Sequence, residues 1–374
     1  MIAHYPKAVY FMPWNGITGP IQNKNAWGAY NNPKVINMGE LRSVRSTANP
    51  AANDKTKKLL SVLSGLGDRD RMLSGAFGGY NLFVHEIGFS MEQANGIQKL
   101  TNKLPTIYGM DCSPGWETTE DGHETDLIDC FHPNIVDYAK KGGIITISHH
   151  FPNPVYAGNK VDGKGTLTNT QYATILQDGT SARNRWLKMM EKIATGLKAY
   201  KDQGITILYR PFHEMNGDWF WWSAIPNDQS QNGERQRLFK LLWQDLFNFM
   251  KNKGLDNLLW VYSPDQSRDS KTAYYPGNNY VDIVGLDWYT VDPNSYVNGY
   301  DELLSLGKPF AFAEVGPYGE SQGHFDFGLF IKNIVSRYPK AVFFMPWNGI
   351  TSPIKNNNIW EVYNNPKVIN LGEL

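Results

Sequence analysis

Eight short apolar runs, each followed by a longer stretch, constrain this chain more than any other feature of its sequence. They are Arg71–Phe77, Thr106–Met110, Ile144–Ser148, Ile205–Arg210, Leu258–Tyr262, Ile283–Leu286, Phe310–Ala313 and Ala341–Met345. Each is rich in β-branched or aromatic residues, as strands covered on both faces should be. Between them, Asn184–Tyr200 and Arg235–Lys251 repeat apolar residues every three or four positions, the pattern of a helix with one buried face. Gly142-Gly143, Gly204 and Gly254 follow such segments, where a left-handed helix C-cap favours a residue without Cβ. Strand and helix in strict alternation imply an α/β fold. Eight repeats of the unit favour a closed (β/α)8 TIM barrel over an open sheet.

A repeat disturbs that count. Residues 5–41 (YPKAVYFMPWNGITGPIQNKNAWGAYNNPKVINMGEL) recur, with few changes, as residues 338–374 at an offset of 333. The second copy carries the eighth run, so the first is a ninth strand for eight places. Residues 1–41 are therefore expected to be an extra N-terminal copy of the eighth-strand segment. Residues 42–54 (RSVRSTANPAAND) read as a polar linker, and residues 55–374 as the barrel. The terminal copy is expected to fill the eighth place, because it follows the seventh run through a helix in the usual right-handed way. The N-terminal copy is then either a vestige of duplication or a strand for exchange. Its Val9-Tyr10-Phe11-Met12 run is a route to self-association, and its Trp14 duplicates Trp347.

Charge and length exclude several function classes. Lys+Arg and Asp+Glu balance at 36 each, so no global field points to nucleic acid or an anionic membrane. No run reaches the ~18 apolar residues of a membrane span. Met1-Ile2-Ala3-His4-Tyr5-Pro6 has no basic segment leading into an apolar one, so the start shows no secretory signal. The only cysteines, Cys112 and Cys130, read either as one bridge or as two reduced thiols. Twelve Trp and 20 Tyr suit a large core, and equally suit stacking against sugar rings.

In a parallel barrel, functional groups collect where strands end and βα loops begin. Those ends carry Asp111 and, beyond it, Trp116; Ser148-His149-His150; Arg210, His213, Glu214, Asn216, Trp219, Trp221 and Trp222; Ser263-Pro264-Asp265; Asp287-Trp288-Tyr289; Glu314; and Trp347-Asn348. A carboxylate at the end of an apolar strand is costly unless it is used or paired. Pairing with Arg210 or capping a helix is the bland reading of Glu214 and Glu314. The sharper reading is glycosidic hydrolysis, which needs one protonated and one ionised carboxyl across the scissile bond. Other chemistries fit less well. His213-Glu214-Met215-Asn216-Gly217 lacks the second His of a zinc peptidase helix. His149 and His150 point to opposite sides of a strand, no phosphate-binding loop is present, and Ser113 and Ser263 lack a nucleophile-elbow context. No metal site and no cofactor are expected.

RPFHEMNGDWFWW (210–222) and AFAEVGP (311–317) closely resemble the catalytic segments of family 26 glycoside hydrolases. LSGAFGGY (73–80), YGMD (108–111), LWVYSPD (259–265) and NNYVDIVGLDWY (278–289) extend the resemblance over residues 50–374. It implies a barrel that cleaves β-1,4-mannan, glucomannan or galactomannan internally, by retaining double displacement and without a cofactor. It implies Glu214 as acid/base and Glu314 as nucleophile, with carboxyls about 5–5.5 Å apart. By the same resemblance the substrate-binding set is His150 near the sugar next to the cleaved bond, His213 beside the acid/base, Tyr289 hydrogen-bonded to the nucleophile, Arg210 and Asp287 in support, and Trp116, Trp219 and Trp347 stacking on sugars. A Cys112–Cys130 disulfide, and with it secretion, is implied as well. Relatives that cut β-1,3-xylan or mixed-linkage β-glucan supply the rival enzyme reading, and a non-catalytic carbohydrate-binding protein the rival of another class. The N-terminal copy and the loop after Trp347 (Asn-Gly-Ile-Thr-Ser-Pro) depart from the family pattern.

Overall fold

In the computed structural model the described residues are 46–81, 88–113, 130–156, 167–226 and 229–374. The expectations for residues 1–45, including Trp14, and for Trp116 lie outside them. The described residues contain ten parallel strands: β1 (Met72–Leu73), β2 (Gly75–Tyr80), β3 (Ile107–Asp111), β4 (Ile144–Ser148), β5 (Ile207–Arg210), β6 (Leu258–Tyr262), β7 (Ile283–Thr290), β8 (Phe310–Pro317), β9 (Ala341–Pro346) and β10 (Val368–Ile369). Their lateral order is β10-β1-β9-β8-β7-β6-β5-β4-β3-β2. Only Ser74 separates β1 from β2, so the two are halves of one strand and the row closes into a barrel of eight positions. The eighth position is held by β9 from the C-terminal copy, registered on β8 through Val315↔Pro346 and on β1 through Leu73↔Phe343.

Each of the eight runs read from the sequence is a strand, with three differences. The first is broken at Ser74, whose N–H and hydroxyl both donate to the Ile369 carbonyl at 3.0 and 3.1 Å. That carbonyl belongs beside β10, a two-residue strand too short to announce itself in sequence. Strands β7 and β8 run on to Thr290 and Pro317, past their apolar runs, because they stay paired with each other from Asp287↔Glu314 to Thr290↔Pro317. The helices Ser181–Asp202 and Gln229–Asn252 enclose the expected segments, and Gly142, Gly204 and Gly254 adopt φ of +98°, +69° and +73°.

The linker expectation needs correction. From Ser46 onward the chain belongs to the barrel unit, which spans Ser46–Leu374. Ala48 donates its N–H to Asp282 Oδ1 at 2.7 Å, and Asn49 donates Nδ2–H to the Leu255 carbonyl at 3.2 Å. Asn53 caps the helix α1 (Asp54–Leu66) by accepting from the Thr56 N–H. These polar residues looked like a solvated linker because composition does not distinguish a solvated Asn from one that satisfies backbone groups. Helix α1 then sends Leu60, Leu63 and Leu66 to pack with Leu73, Phe77, Ile107, Leu208, Leu259, Ile283, Ala311 and Phe343, the apolar filling of the barrel. A second, larger core lies between strands and outer helices.

Closure at the β2–β9 seam depends on a missing side chain. A Cβ on Gly75 would lie 2.2 Å from Met345 Sδ and 2.4 Å from the Phe344 carbonyl oxygen. Gly75→Ala is therefore expected to destabilise the fold by about 3 kcal/mol, read by urea denaturation. A loss under about 0.5 kcal/mol would mean that the seam is not tight.

Cys112 and Cys130 form a disulfide with Cα atoms 4.9 Å apart. Closing a loop of this length stabilises the fold by about 3 kcal/mol in the chain-entropy account. No described helix is long and apolar enough to cross a membrane.

Candidate active site

Two β-bulges aim side chains into the mouth of the barrel. Along β8, Phe312 pairs with Leu286 but Glu314 pairs with Asp287, so β8 carries one residue too many. Strict alternation would turn Glu314 outward with Phe310 and Phe312. Ala313 faces the barrel core as alternation with Ala311 requires, and the extra residue returns Glu314 to the mouth beside Asp287, a common use of bulges near functional sites. The same happens between β2 and β3, where the pairs run from Phe77↔Gly109 to Tyr80↔Asp111. Gly79 absorbs that bulge with φ +111°.

Beyond β5 the backbone is strained. Phe212 and Glu214 hold φ of +52° and +55°, a left-handed conformation that costs non-glycine residues about 1–3 kcal/mol each. Hydrogen bonds on both sides of Glu214 hold it there: its N–H donates to the Ser263 carbonyl at 2.8 Å, and its carbonyl accepts from the Gly217 N–H and the Ser223 hydroxyl. Trp222 Nε1–H donates to the His213 carbonyl at 2.9 Å, and Trp221 Nε1–H to the Phe151 carbonyl at 2.8 Å. Those two tryptophans are buried supports of the loop, not sugar platforms.

Glu314 accepts on both oxygens, from the Tyr289 hydroxyl at 2.7 Å and from Arg210 Nη2–H. Arg210 Nη1–H donates to Asp287 at 2.7 Å, and Ser263 closes the chain by donating its hydroxyl to Asp287. The two neighbouring carboxylates keep Arg210 charged despite its burial. Burial and the charge of Glu314 drive the Tyr289 hydroxyl well above its ordinary value, so it remains a donor. Glu214 is the opposite case. Burial first, then repulsion from Asp265, Asp287 and Glu314, pushes its carboxyl well above the usual range, against a hydrogen bond from Trp219 Nε1–H at 2.7 Å. The mouth therefore holds one carboxyl that keeps its proton and one that is clasped by a cation and a hydroxyl.

A histidine pair lies beside them. Burial and the Arg210 charge hold His213 well below the usual imidazole range, hence neutral. Its Nε2 is 3.2 Å from His150 Nε2, and His150 Nδ1 is 2.8 Å from Asp111 Oδ2. Burial opposes ionisation of Asp111, but the attraction of His150 and its hydrogen bond outweigh it and bring the carboxyl down to about 2. An ionised Asp111 accepts from His150 Nδ1–H, which fits His213 as the donor between the two Nε2 atoms.

Of the residues expected from sequence, Glu214, Glu314, Arg210, Asp287, Tyr289, His150 and His213 are joined in these networks. Trp347 arrives at the end of β9, edge-on to Tyr80 and His150, but stacks on Phe77 with centroids 4.0 Å apart. One of its faces is thus spent inside the protein. Trp219, expected as a sugar platform, gives its N–H to Glu214. Sequence reasoning passed over Asp111, Ser263 and Asp265 as partners, although their places at strand ends were legible, and missed Tyr80, whose signal was the bulge-prone Gly78-Gly79 pair. It also missed Phe220, with its ring 5.1 Å from that of His213. Among the described residues, Cys112, Cys130 and His149 have the spacing of a metal-binding trio, but the two sulfurs are joined to each other.

The model of "Glycosyl hydrolase family 26" matches residues 48–373. A mannan endo-1,4-beta-mannosidase of Bacillus subtilis is 44% identical over 330 residues, which are 87% of this chain and 89% of the relative. A mannan endo-1,4-beta-mannosidase of Caldalkalibacillus mannanilyticus is 37% identical over 343 residues, 91% of this chain and 65% of the relative. A solved structure of a Bacillus subtilis mannanase superposes with a TM-score of 0.82 at 43% identity, covering 88% of this chain and 96% of that one.

Proposed function

Because the chain belongs to glycosyl hydrolase family 26, we propose that it cleaves internal β-1,4-mannosidic bonds of mannan, glucomannan or galactomannan by retaining double displacement. The observation that carries this reading is the unequal surroundings of the two carboxyls: burial and three neighbouring carboxyl groups keep a proton on Glu214, whereas Arg210 and Tyr289 clasp Glu314. Glu314 supplies the attacking oxygen. As its bond to the anomeric carbon forms, the glycosidic C–O bond breaks and Glu214 gives its proton to the departing oxygen. The glycosyl ester carries no charge, so its repulsion of Glu214 vanishes and Glu214 becomes a competent base. It then takes a proton from water, the water oxygen attacks the anomeric carbon, and Glu314 leaves as a carboxylate.

The remaining residues support these steps. Tyr289 and Arg210 hold the two oxygens of Glu314, and Asp287 and Ser263 hold Arg210. His213, held neutral, and its hydrogen-bonded partner His150 lie beside the two carboxyls where the sugar next to the cleaved bond would sit, and the outward face of Trp347 offers a stacking surface. The Cys112–Cys130 bridge supports secretion, since disulfides persist in oxidising compartments.

Glu214→Ala tests the assignment. Substrates with a good leaving group need no acid, so their first step should survive and a glycosyl-enzyme should accumulate, visible by mass spectrometry. Mannan hydrolysis should fall by about 10²–10⁴-fold. Equal loss on both substrates with no trapped adduct would remove Glu214 from the acid/base role. Reducing-end assays on mannan, β-1,3-xylan and barley β-glucan test the polymer. Turnover confined to the xylan or the glucan would overturn the mannan reading, and binding without turnover would overturn the enzyme reading.

A further inference from the structure

The loop that carries Glu214 is held from a second loop, and the contact at the Trp219 ring is made by an arginine. The Trp219 indole that donates to Glu214 is packed against Gly217, where a Cβ would lie 2.5 Å from the ring. Over the ring stands the Arg268 guanidinium, 5.4 Å from the centroid, within the range of a cation–π contact. Asp218 tethers that guanidinium at 3.0 Å. The Arg268 backbone is anchored too: its carbonyl accepts from Asn216 Nδ2–H at 3.3 Å and from Lys271 Nζ. Asn216 also exchanges two hydrogen bonds with the Asp265 backbone, at 2.8 and 2.9 Å. Residues 216–219 and 265–269 thus form one hydrogen-bonded unit, which borders a cavity of about 560 Å³.

We propose that Arg268 is a positioning residue for the acid/base: together with Asp218 it holds the Trp219 indole so that the N–H stays on Glu214 Oε2. The proposal rests on Glu214 being the acid/base. Its reach follows from the charges that face Glu214. Asp265 after β6, Asp287 on β7 and Glu314 on β8 all oppose ionisation of Glu214. Arg210 on β5 is the cation coupled to it, and it is already committed to Asp287 and Glu314. The indole N–H is the donor that binds Glu214 directly, and a donor favours the ionised carboxylate over the acid. Without it Glu214 keeps its proton to higher pH and yields that proton less readily. Cleavage of an unactivated bond then slows, while an activated leaving group departs unaided.

The test is Arg268→Ala and Arg268→Lys, assayed on mannan and on a dinitrophenyl β-mannobioside across pH. The Arg268 side chain is 47% exposed, so truncation leaves no buried cavity. Arg268→Ala should lower kcat on mannan roughly tenfold, a part of what general acid catalysis supplies. It should leave the dinitrophenyl substrate near wild type and move the high-pH limb of kcat/KM upward. Arg268→Lys, which keeps the cation, should recover part of the loss. In a Trp219→Phe background Arg268→Ala should have no further effect. Equal loss on both substrates with an unmoved high-pH limb would overturn the proposal, as would an undiminished effect in the Trp219→Phe background. Glu214→Ala run alongside separates the two readings. If it too loses both substrates equally, the assignment of Glu214 fails; if it discriminates and Arg268→Ala does not, only the role of Arg268 fails.

Discussion

Glu314→Ala is expected to abolish mannan hydrolysis, with kcat down by about 10⁴-fold or more, and to leave oligosaccharide affinity within a few fold of wild type. The variant removes the attacking oxygen but none of the stacking or hydrogen-bonding surface around it. Arg210 keeps its partner Asp287, so no buried cation is stranded and the fold should lose only about 1–3 kcal/mol. Azide should enter the vacated space and attack the anomeric carbon directly, restoring turnover on an activated substrate with an α-glycosyl azide as product. Isothermal titration separates binding from turnover, and NMR of the azide product gives its configuration. Near-normal hydrolysis would exclude Glu314 from the reaction, and a β-glycosyl azide would exclude it as the displaced nucleophile.

Deleting residues 338–374 is expected to abolish both folding and activity, whereas we propose that deleting residues 1–41 leaves activity unchanged or improved and reduces self-association. The terminal segment supplies β9, so its loss opens the barrel between β8 and β1. It strips Val342, Phe343 and Met345 from the barrel filling. It also removes Trp347, β10 and the Tyr363 hydroxyl that donates to the Gly75 carbonyl at 2.9 Å. The near-identical N-terminal copy is a poorer replacement. In place of the buried Phe343, Ser352 and Val362 it carries Tyr10, Gly19 and Ala29. Such changes at buried positions cost on the order of 1 kcal/mol each. Circular dichroism and size-exclusion chromatography of both truncations, with activity, read the outcome. A folded, active chain lacking 338–374 whose activity disappears with Trp14→Ala would show that the first copy can take the eighth place.

Sequence alone carried the architecture. Eight apolar runs and two long helices survive in the structure almost as read, because burial on both faces and helical periodicity are written into local residue order. The two carboxylates were legible for a related reason: a charged residue at the end of an apolar strand stands out against its neighbours. The aim of those side chains was not legible. Glu314 faces the barrel mouth only because β8 is one residue out of step with β7, and a register is a relation between two strands that neither contains. The left-handed backbone at Glu214 is held by the bond its N–H donates to the Ser263 carbonyl, in the loop after β6, and by the bond its carbonyl accepts from the Ser223 hydroxyl. Residues 46–53 read as a linker until Asp282 and Leu255, more than 200 positions away, supplied their partners. The family resemblance marks Trp219 as a sugar-stacking residue, but only the folded chain shows its N–H on Glu214 and Arg268 over its ring. Local pattern determined which residues form strands, helices and candidate carboxyls, since burial acts on each segment separately. Register, strain and the ionisation of Glu214 were decided only in the folded chain, since each depends on groups that folding alone brings within a few ångströms.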